Sequence, residues 1–325
     1  MKTLPLALLL LATCVTLSAQ TEERFDKSFP IAANGQLIVD VGFGSIDVTT
    51  HAGNDVVVSA WRKVTRGSKA DEATFLRDHP VTFTPEGNTL TIKAEDRNTG
   101  TGGWFSSNRN DAKYTITVPA SFVVLLKTSG GGISVSDVAG KVSAKTSGGG
   151  LRFARIHGPL DGNTSGGDIQ AENCEGQVKI DTSGGGIKVT GGGGSLDGDT
   201  SGGSITVKDF RGPAHVETSG GGITIDDVTG KIDGSTSGGS ITAHFSAPLT
   251  DEVKLETSGG GVTVRLAEAS AFTLDASTSG GNVSTDLPLT IVGKISRNNM
   301  KGTVNGGGKL LYLRSSGGGI HIKKI

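Results

Sequence analysis

The sequence has few cysteines, aromatic residues and prolines, and its charges nearly cancel. It contains two Cys, nine Pro and 5% aromatic residues, against 52 Gly in 325 residues. Two cysteines cannot build a disulfide framework, and the low proline content excludes both collagen and a Pro-Gly disordered chain. With 31 basic and 32 acidic residues, the formal net charge is −1, and no run of Lys or Arg appears. Because nucleic-acid binding needs a basic stripe, no nucleic-acid partner is expected.

Long apolar runs are also lacking, except at the N-terminus. Lys2 precedes an apolar stretch from Leu4 to Leu17, which ends in Ser18-Ala19-Gln20. This pattern predicts a signal peptide over residues 1–19, cleaved near Ala19. The stretch is about 14 residues long, short of the roughly 20 that cross a bilayer, so no transmembrane segment is expected after cleavage. Lipidation at Cys14 is the alternative. Both predict a secreted or cell-envelope location, in the periplasm or at the cell surface.

What the sequence has in abundance is one tetrapeptide, Thr-Ser-Gly-Gly. From Thr128 onward its copies follow at a constant step (146 − 128 = 18), and the last two follow at a longer one (257 − 236 = 21). They begin at Thr128, Thr146, Thr164, Thr182, Thr200, Thr218, Thr236, Thr257 and Thr278, and a degenerate copy begins at Ser315. Such a period is typical of a solenoid. Its length suits one coil of a single-stranded parallel β-helix, an all-β fold in which each coil stacks on the last.

Columns within the repeat predict the core and the turns. Apolar residues recur 5, 7, 10 and 14 places after each Thr, with polar residues mostly between them, as in Ile187, Val189, Phe210 and Val178. Apolar residues that alternate with polar ones indicate strands, so each coil is predicted to contain two or three strands. Gly stands at offset twelve in every unit from Gly140 to Gly230. Offset nine is Asp or Asn in four of six units, and both residue types tolerate the positive φ of turns.

A finer alternation runs through the middle of the array. The residue two before each Thr is in turn small and large, as in Gly162, Ile180, Gly198 and Val216. Small residues accompany a non-glycine at the third Gly position and large ones accompany Gly, except that Ala144 is followed by Gly150. This predicts a duplicated pair of coils whose layers fill space together.

The Thr and the mature cysteine fit this architecture. A regular Thr ladder is found on ice-binding solenoids, but each Thr here is followed by Ser and a turn, which favours hydrogen bonding along the stack. Cys174 falls in the apolar offset-ten column. It is therefore predicted to be a small buried hydrophobic residue rather than a reactive thiol.

The two ends depart from the repeat and predict the division of the chain. Residues 20–127 are expected to form irregular N-terminal β coils and a cap, with one helical turn over residues 71–77, and residues 128–325 the regular array with a C-terminal cap. Atypical end units are expected because an open coil exposes unpaired backbone. A loop around Trp104 and Phe105 either contacts a glycan or protein partner or covers the end of the core.

No catalytic or cofactor motif is found, and neither a cofactor nor a metal is expected. The glycine turns lead into strands without a following P-loop Lys, so they do not predict a phosphate site. Calcium β-rolls need Asp at a position where the closest match, Gly191 to Asp199, has Leu196. The six His residues show no metal-ligand spacing, and no nucleophile motif stands at a strand-to-helix elbow.

One outward column carries candidate ligand contacts. Asp181 and Asp199 stand one coil apart, between Asn163 and Glu217, and a neighbouring column holds Asp161, Lys179, Asp197, His215 and Asp233. Paired carboxylates are what glycosidic chemistry needs, and a charged face also suits a cation or a sugar. A solvated strand face repeated by duplication is the alternative explanation.

The C-terminal stretch resembles a known family. Its segments over residues 272–283, 293–298, 301–308 and 314–322 are similar to a bacterial family named for adhesins, of unknown function and also called the toastrack domain. The resemblance implies a secreted or envelope-anchored β-helix and brings no agreed catalytic residues. The function expected is a structural or binding role without catalysis, with a cell-surface glycan or envelope protein as partner. A glycan-processing β-helix enzyme and an accessory of envelope-stress signalling are the alternatives.

Overall fold

The computed structural model describes residues 22–94, 109–291 and 296–325. These residues form 29 strands in two sheets, of 14 and 15 strands, together with one helix. The fold is an all-β parallel β-helix, as the repeat predicted. The signal peptide, Cys14, Trp104 and Phe105 lie outside the described residues. The division of the chain at residues 19 and 127 stays a prediction.

The N-terminal part of the chain contains seven strands and the helix. They are β1 (Glu22–Phe29), β2 (Gln36–Val41), β3 (Ser45–His51), β4 (Val56–Thr65), α1 (Lys69–Asp78), β5 (Thr82–Glu86), β6 (Thr89–Ala94) and β7 (Arg109–Pro119). Helix α1 covers the predicted helical turn, and the Ser68 hydroxyl caps it by accepting from the Asp71 N–H at 3.2 Å. The buried Arg62 guanidinium of β4 holds this part together, since it donates to Glu23 of β1 and to the carbonyls of Leu76 and His79.

The regular array consists of coils with two strands each, one in either sheet. The strands are β8 (Val123–Thr128), β9 (Ile133–Ser136), β10 (Val142–Thr146), β11 (Leu151–Ala154), β12 (Leu160–Thr164), β13 (Ile169–Glu172), β14 (Gln177–Thr182), β15 (Ile187–Thr190), β16 (Ser195–Thr200), β17 (Ile205–Lys208), β18 (Ala214–Thr218), β19 (Ile223–Asp226), β20 (Ile232–Thr236), β21 (Ile241–Phe245), β22 (Val253–Thr257) and β23 (Val262–Leu266). Neighbouring coils pair in parallel, and over most of the array each residue faces its counterpart one repeat on, as Val178 faces Leu196.

The C-terminal part adds six strands. They are β24 (Phe272–Thr278), β25 (Val283–Thr285), β26 (Leu289–Ile291), β27 (Asn299–Val304), β28 (Lys309–Ser315) and β29 (Ile320–Lys324). Strand β27 pairs antiparallel with β24 and β26, and β26 is the last strand at this end of the 15-stranded sheet.

Coils do not stack in strict sequence order at either end, which corrects the expectation that each coil lies on the last. The coil of β28 and β29 lies between the coil of β22 and β23 and the coil of β24 and β25. At the other end, β2 lies between β6 and β8, and β3 lies between β7 and β9. The coil of β2 and β3 and the coil of β28 and β29 are therefore each inserted one layer inside the rod.

The predicted apolar columns form the core. Every apolar residue in the offset 5, 7, 10 and 14 columns is buried between the two sheets, and Cys174 is only 1% exposed, with its thiol pKa raised by burial. Burial of a Leu- or Ile-sized side chain contributes about 1.5–3 kcal/mol, and here each coil repeats it. The prediction for Cys174 is confirmed.

The Thr-Ser-Gly-Gly turn, which we call the Thr corner, joins successive coils. Each Thr side chain is buried, and its hydroxyl donates at 2.6–2.9 Å to a glycine carbonyl of the neighbouring coil, which in the regular coils is that of the corner's second Gly. In seven of these corners the N–H of its own second Gly donates back to the same hydroxyl. The Ser315 hydroxyl donates in the same way to Gly260. Hydrogen bonding along the stack is thus confirmed.

Glycine is required at this corner by close approach. A Cβ on the second Gly, such as Gly185, would overlap the carbonyl of the neighbouring coil at Gly167. None of the corner glycines has a positive φ, whereas Asp137, Asn173, Asp209 and Asp227 of the opposite turn do, at 49–65°. Positive φ therefore explains the Asx residues, and stacking explains the Thr-corner glycines.

The alternation between successive coils also has a physical reason. The side chains of Asp168, Ser204 and Ser240 accept from the N–H of the third Gly one coil on, at 2.7, 3.2 and 3.3 Å. In the core, the small residues make room for large ones, since a Cβ on Gly234 would come within 3.1 Å of Leu255. One coil supplies the acceptor and the next supplies the donor, so the coils are built in pairs.

Candidate functional site

The outward face of the 15-stranded sheet carries the charged residues singled out in the sequence. Parallel register places Asp181 beside Asp199 and Asp199 beside Glu217 on strands β14, β16 and β18. We call these three residues the acidic column. Side chains alternate across a strand, so these carboxylates point outward while Ile180 and Val216 point into the core. The prediction that Asp181 and Asp199 share one column is confirmed by the register.

A second column lies beside it, two residues earlier on the same strands. Lys179, Asp197 and His215 are aligned in it, between Asp161 and Asp233. The Lys179 ammonium lies 3.7 Å from the Asp197 carboxylate, and the Lys254 ammonium lies 3.5 Å from that of Asp233. In this second column, which we call the flanking column, acidic and basic side chains alternate, so most of its carboxylates lie beside a basic group of the same column.

The acidic column differs from several other charged clusters of the rod. In those clusters the charges pair across coils, as in Arg155 with Asp137 at 2.5 Å and Lys208 with Asp226 at 3.0 Å. Asp181, Asp199 and Glu217 form neither an ion pair nor a hydrogen bond with any side chain in the part of the chain that the structure describes. Like charges directly opposite each other in a sheet are destabilising. The three carboxylates of the acidic column therefore repel one another, and no paired positive side chain offsets this repulsion as it does in those clusters.

Asp199 is the centre of this negative field. Partial burial raises the pKa of its carboxyl, and the neighbouring carboxylates of Asp197, Asp181 and Glu217 raise it further, while His215 opposes them. A carboxylate in this position gains from any added positive charge, because both causes disfavour its ionised form.

The same stacking brings together three metal-ligating side chains that are distant in sequence. Ligand atoms of Asp197, Asp199 and His215 all lie within 4.8 Å of one another, and so do those of Asp226, Asp227 and His244. Sequence spacing did not show either group, because in each the His stands a full coil away from an Asp. Carboxylate and imidazole donors suit divalent cations, and they equally suit a ligand's ammonium or guanidinium.

Glycosidic chemistry, the alternative for this face, needs two carboxylates on either side of a scissile bond. Asp181 and Asp199 stand side by side on an open sheet, both directed outward. The contact site proposed at Trp104 and Phe105 lies outside the described residues and stays a prediction.

A groove on another part of the surface is not predicted by the columns of the repeat. It has a volume of about 260 Å³ and is bounded by the loop over residues 246–251 and by the turns of the two preceding coils. The signal was present in the sequence, because the step from Thr236 to Thr257 is longer than the steps before it (257 − 236 = 21, against 236 − 218 = 18). Three extra residues had to leave the regular path somewhere in that coil.

Comparison with known proteins gives a family and several similar structures. The model of the Toastrack DUF4097 family matches residues 39–323. A "putative cell adhesion protein" from Clostridium sporogenes is 13% identical, with 94% of this chain and 99% of that chain covered and a TM-score of 0.22. A "putative adhesin" from Bacteroides fragilis is 12% identical, with 93% and 97% covered and a TM-score of 0.30. A "putative lipid binding protein" from Parabacteroides distasonis is 13% identical, with 93% and 96% covered and a TM-score of 0.36.

No curated protein matches the chain. Within the described residues, no helix has the length and apolar character needed to cross a membrane.

Proposed function

The chain belongs to the Toastrack DUF4097 family, and from that premise we propose that it is a secreted or envelope-associated binding protein that acts without catalysis. Its partner is a cell-surface glycan or an envelope protein. The acidic column of Asp181, Asp199 and Glu217 is the contact surface, and the partner presents positive charge to it.

The unpaired acidic column is the observation that carries this proposal. Three carboxylates stacked in register raise the energy of the free protein, and the rest of the rod shows that cross-coil pairing is easily built into this fold. Uncompensated repulsion of this kind is expected at functional sites, where proteins depart from the rules of stable design. A cationic group seated between Asp181 and Glu217 would relieve the repulsion on binding.

A binding role also suits the shape of the face better than catalysis does. The carboxylates lie on the outward side of strands in the middle of a 15-stranded sheet, where a long partner can lie along several coils. Excluding water from a reacting bond requires an enclosed site, and this face is open.

Binding to isolated bacterial envelopes and to a glycan array tests the proposal. The variant Asp181→Asn/Asp199→Asn/Glu217→Gln removes three negative charges and keeps side-chain size. We expect its binding to fall by about tenfold or more, since contacts to charged groups are worth roughly 1.5–3 kcal/mol. Binding by the wild-type protein should also weaken as salt is raised.

The matched control is Glu86→Gln/Glu172→Gln/Glu175→Gln, which removes three negative charges from exposed positions outside the column. It should bind like the wild type. Equal binding by both triple variants would contradict the proposed surface. Turnover of a bound polysaccharide that is lost in Asp199→Asn would contradict the absence of catalysis and favour the glycan-processing alternative.

A further inference from the structure

The turn opposite the Thr corner, called the second corner, is joined from coil to coil by its backbone. The carbonyl at offset ten accepts from an N–H of the next coil in five successive coils. The acceptors are Val138, Ile156, Cys174, Gly192 and Phe210, and the donors are His157, Glu175, Gly193, Arg211 and Thr229, at 2.7–3.1 Å. Val228 is the next offset-ten residue. Its carbonyl has no hydrogen-bond donor among residues 22–94, 109–291 and 296–325.

The series ends there because the following coil is three residues longer. Its chain leaves the regular path after Phe245, and the Ser246 N–H donates to the Asp227 carboxylate at 2.7 Å. Residues 246–251 then form the outer wall of the groove. Among the described residues of this longer coil, no backbone N–H donates to the Val228 carbonyl as the offset-eleven N–H of each earlier coil does to the coil before it.

What remains is one half of a parallel β-bridge. One coil earlier, Thr229 bridges Arg211, since its N–H donates to the Phe210 carbonyl at 3.0 Å and its carbonyl accepts from the Gly212 N–H at 2.9 Å. The equivalent groups around Thr229 itself are the Val228 carbonyl and the Gly230 N–H. Neither is bonded within the described parts of the chain. Together they offer one acceptor and one donor, spaced for a single residue of an extended strand.

The lining of the groove indicates which side chains such a strand would carry. Asp209, Asp227 and Asp251 line it with one cation, Arg211. The carboxylates of Asp209 and Asp251 form no ion pair with other described residues. Pro248 and Leu249 supply an apolar wall. The groove therefore favours a segment with a positively charged side chain on an aliphatic stem.

We propose that this groove binds an extended peptide segment bearing Lys or Arg, one residue of which completes the bridge with Val228 and Gly230. This is strand addition, in which main-chain hydrogen bonds provide affinity and flanking pockets select side chains. A volume of about 260 Å³ admits a short segment and not a folded domain. The groove and the acidic column share no residues, so the two proposals can fail separately.

Amide hydrogen exchange on the whole chain gives the first test. The Gly212 N–H, which is bonded, should exchange slowly, and the Gly230 N–H should exchange fast. The probe is the pentapeptide acetyl-Ala-Lys-Val-Lys-Ala-amide, and saturating amounts of it should slow exchange at Gly230 without changing Gly212. Failure of the probe to bind at millimolar concentration would overturn the proposal, and so would binding that leaves Gly230 unprotected.

Ester probes test the backbone bonds without altering the protein. In a series of peptides, each amide of the probe is replaced in turn by an ester, which removes one N–H donor. One position should weaken binding by about 3- to 10-fold, the effect of losing one hydrogen bond, and the others should change it little. Equal binding by the whole series would overturn the bridge.

Protein variants locate the site. The variant Asp209→Asn/Asp251→Asn should bind the peptide probe more weakly, and its affinity should depend less on salt concentration. The variant Asp181→Asn/Asp199→Asn/Glu217→Gln should bind the probe as the wild type does. The opposite pattern would place the peptide on the acidic column and overturn the groove assignment. Protection of Gly230 by N-acetylglucosamine but not by the probe would also overturn it, and would assign the groove to a sugar.

Discussion

The two corners of each coil are built under different constraints. The Thr corner is joined to its neighbour by the same kind of side-chain hydrogen bond from Gly44 at one end to Thr278 at the other. The second corner is joined mainly by backbone, varies in sequence, and loses its connection at Val228. Where a side chain fixes the stacking, the sequence is constrained, and where backbone does so, the chain can leave its path and form a groove. Function in this rod is therefore expected away from the residues that recur most regularly.

The largest expected effect comes from breaking the Thr corner with a methyl group. Gly185→Ala would drive its Cβ into the Gly167 carbonyl, and no flexible side chain there can yield. We expect a loss of about 3 kcal/mol or more in the free energy of unfolding, measured by denaturant unfolding followed by circular dichroism. The control is Gly184→Ala, one residue earlier, where the nearest atom is 3.5 Å away. It should change stability by less than about 1 kcal/mol, and equal losses in both variants would contradict the close-packing argument.

A smaller effect is expected from removing the corner hydroxyl alone. Thr200→Val keeps the shape of the side chain but leaves the Gly185 carbonyl and the Gly203 N–H without the hydroxyl that bonds both. The expected cost is about 1–3 kcal/mol, the penalty for unsatisfied buried polar groups. Thr224→Val on the exposed face is the control and should stay within about 0.5 kcal/mol of the wild type. If the two valine variants are equally stable, the Thr ladder is not what joins the coils.

The smallest effect is a pair of opposite pH dependences beside the two corners. Asp199, next to the Thr corner, has its pKa raised by burial and by neighbouring carboxylates. A raised folded-state pKa destabilises the ionised form, so Asp199→Asn should stabilise the protein at neutral pH, and the gain should vanish as pH falls below the ordinary Asp range. Thermal unfolding at a series of pH values measures this.

Asp226, next to the second corner, should behave in the opposite way. Its pKa is lowered by the hydrogen bonds from His244 and Lys208. That stabilisation is present above the ordinary Asp pKa and is lost as pH falls through the lowered one. Asp226→Asn should therefore destabilise the protein at neutral pH and approach the wild type in acid. The same sign for both variants would contradict the distinction between a paired and an unpaired cluster.

The sequence predicted the middle of the rod well because there each residue's neighbour is simply its counterpart in the next repeat. That rule places Cys174 in the core, aligns Asp181 with Asp199 and directs Thr200 along the stack. It does not apply at the ends. Thr278 and Ser315 both fit a corner beyond Thr257, and a linear count cannot show that Ser315 lies nearer in space.

The candidate functional site was only partly predictable from the sequence, again because the repeat predicts in-register neighbours and not other contacts. Alignment of the repeats predicted the acidic column, because the register of the strands alone places its residues side by side. The metal-ligating geometry of His215 with Asp197 and the open backbone at Val228 depend on three-dimensional contacts between coils. The longer step after Thr236 showed that three residues were extra, but which corner held them depended on where the chain could leave the stack without exposing the core.

The position of the coil of β28 and β29 inside the stack also determines when the rod can finish folding during synthesis. During synthesis, coils up to β22 and β23 can each settle on one already made, and domains generally form from the N-terminus as the chain emerges. Strands β24 and β25 have to wait, because their parallel neighbours are β28 and β29, which are synthesised after them. Until then the growing rod exposes an open strand edge, the feature most prone to unwanted association. We therefore expect chains that stop before Lys309 to aggregate. Strands β28 and β29 complete the stack of coils, and they can do so only after the rest of the rod has been synthesised.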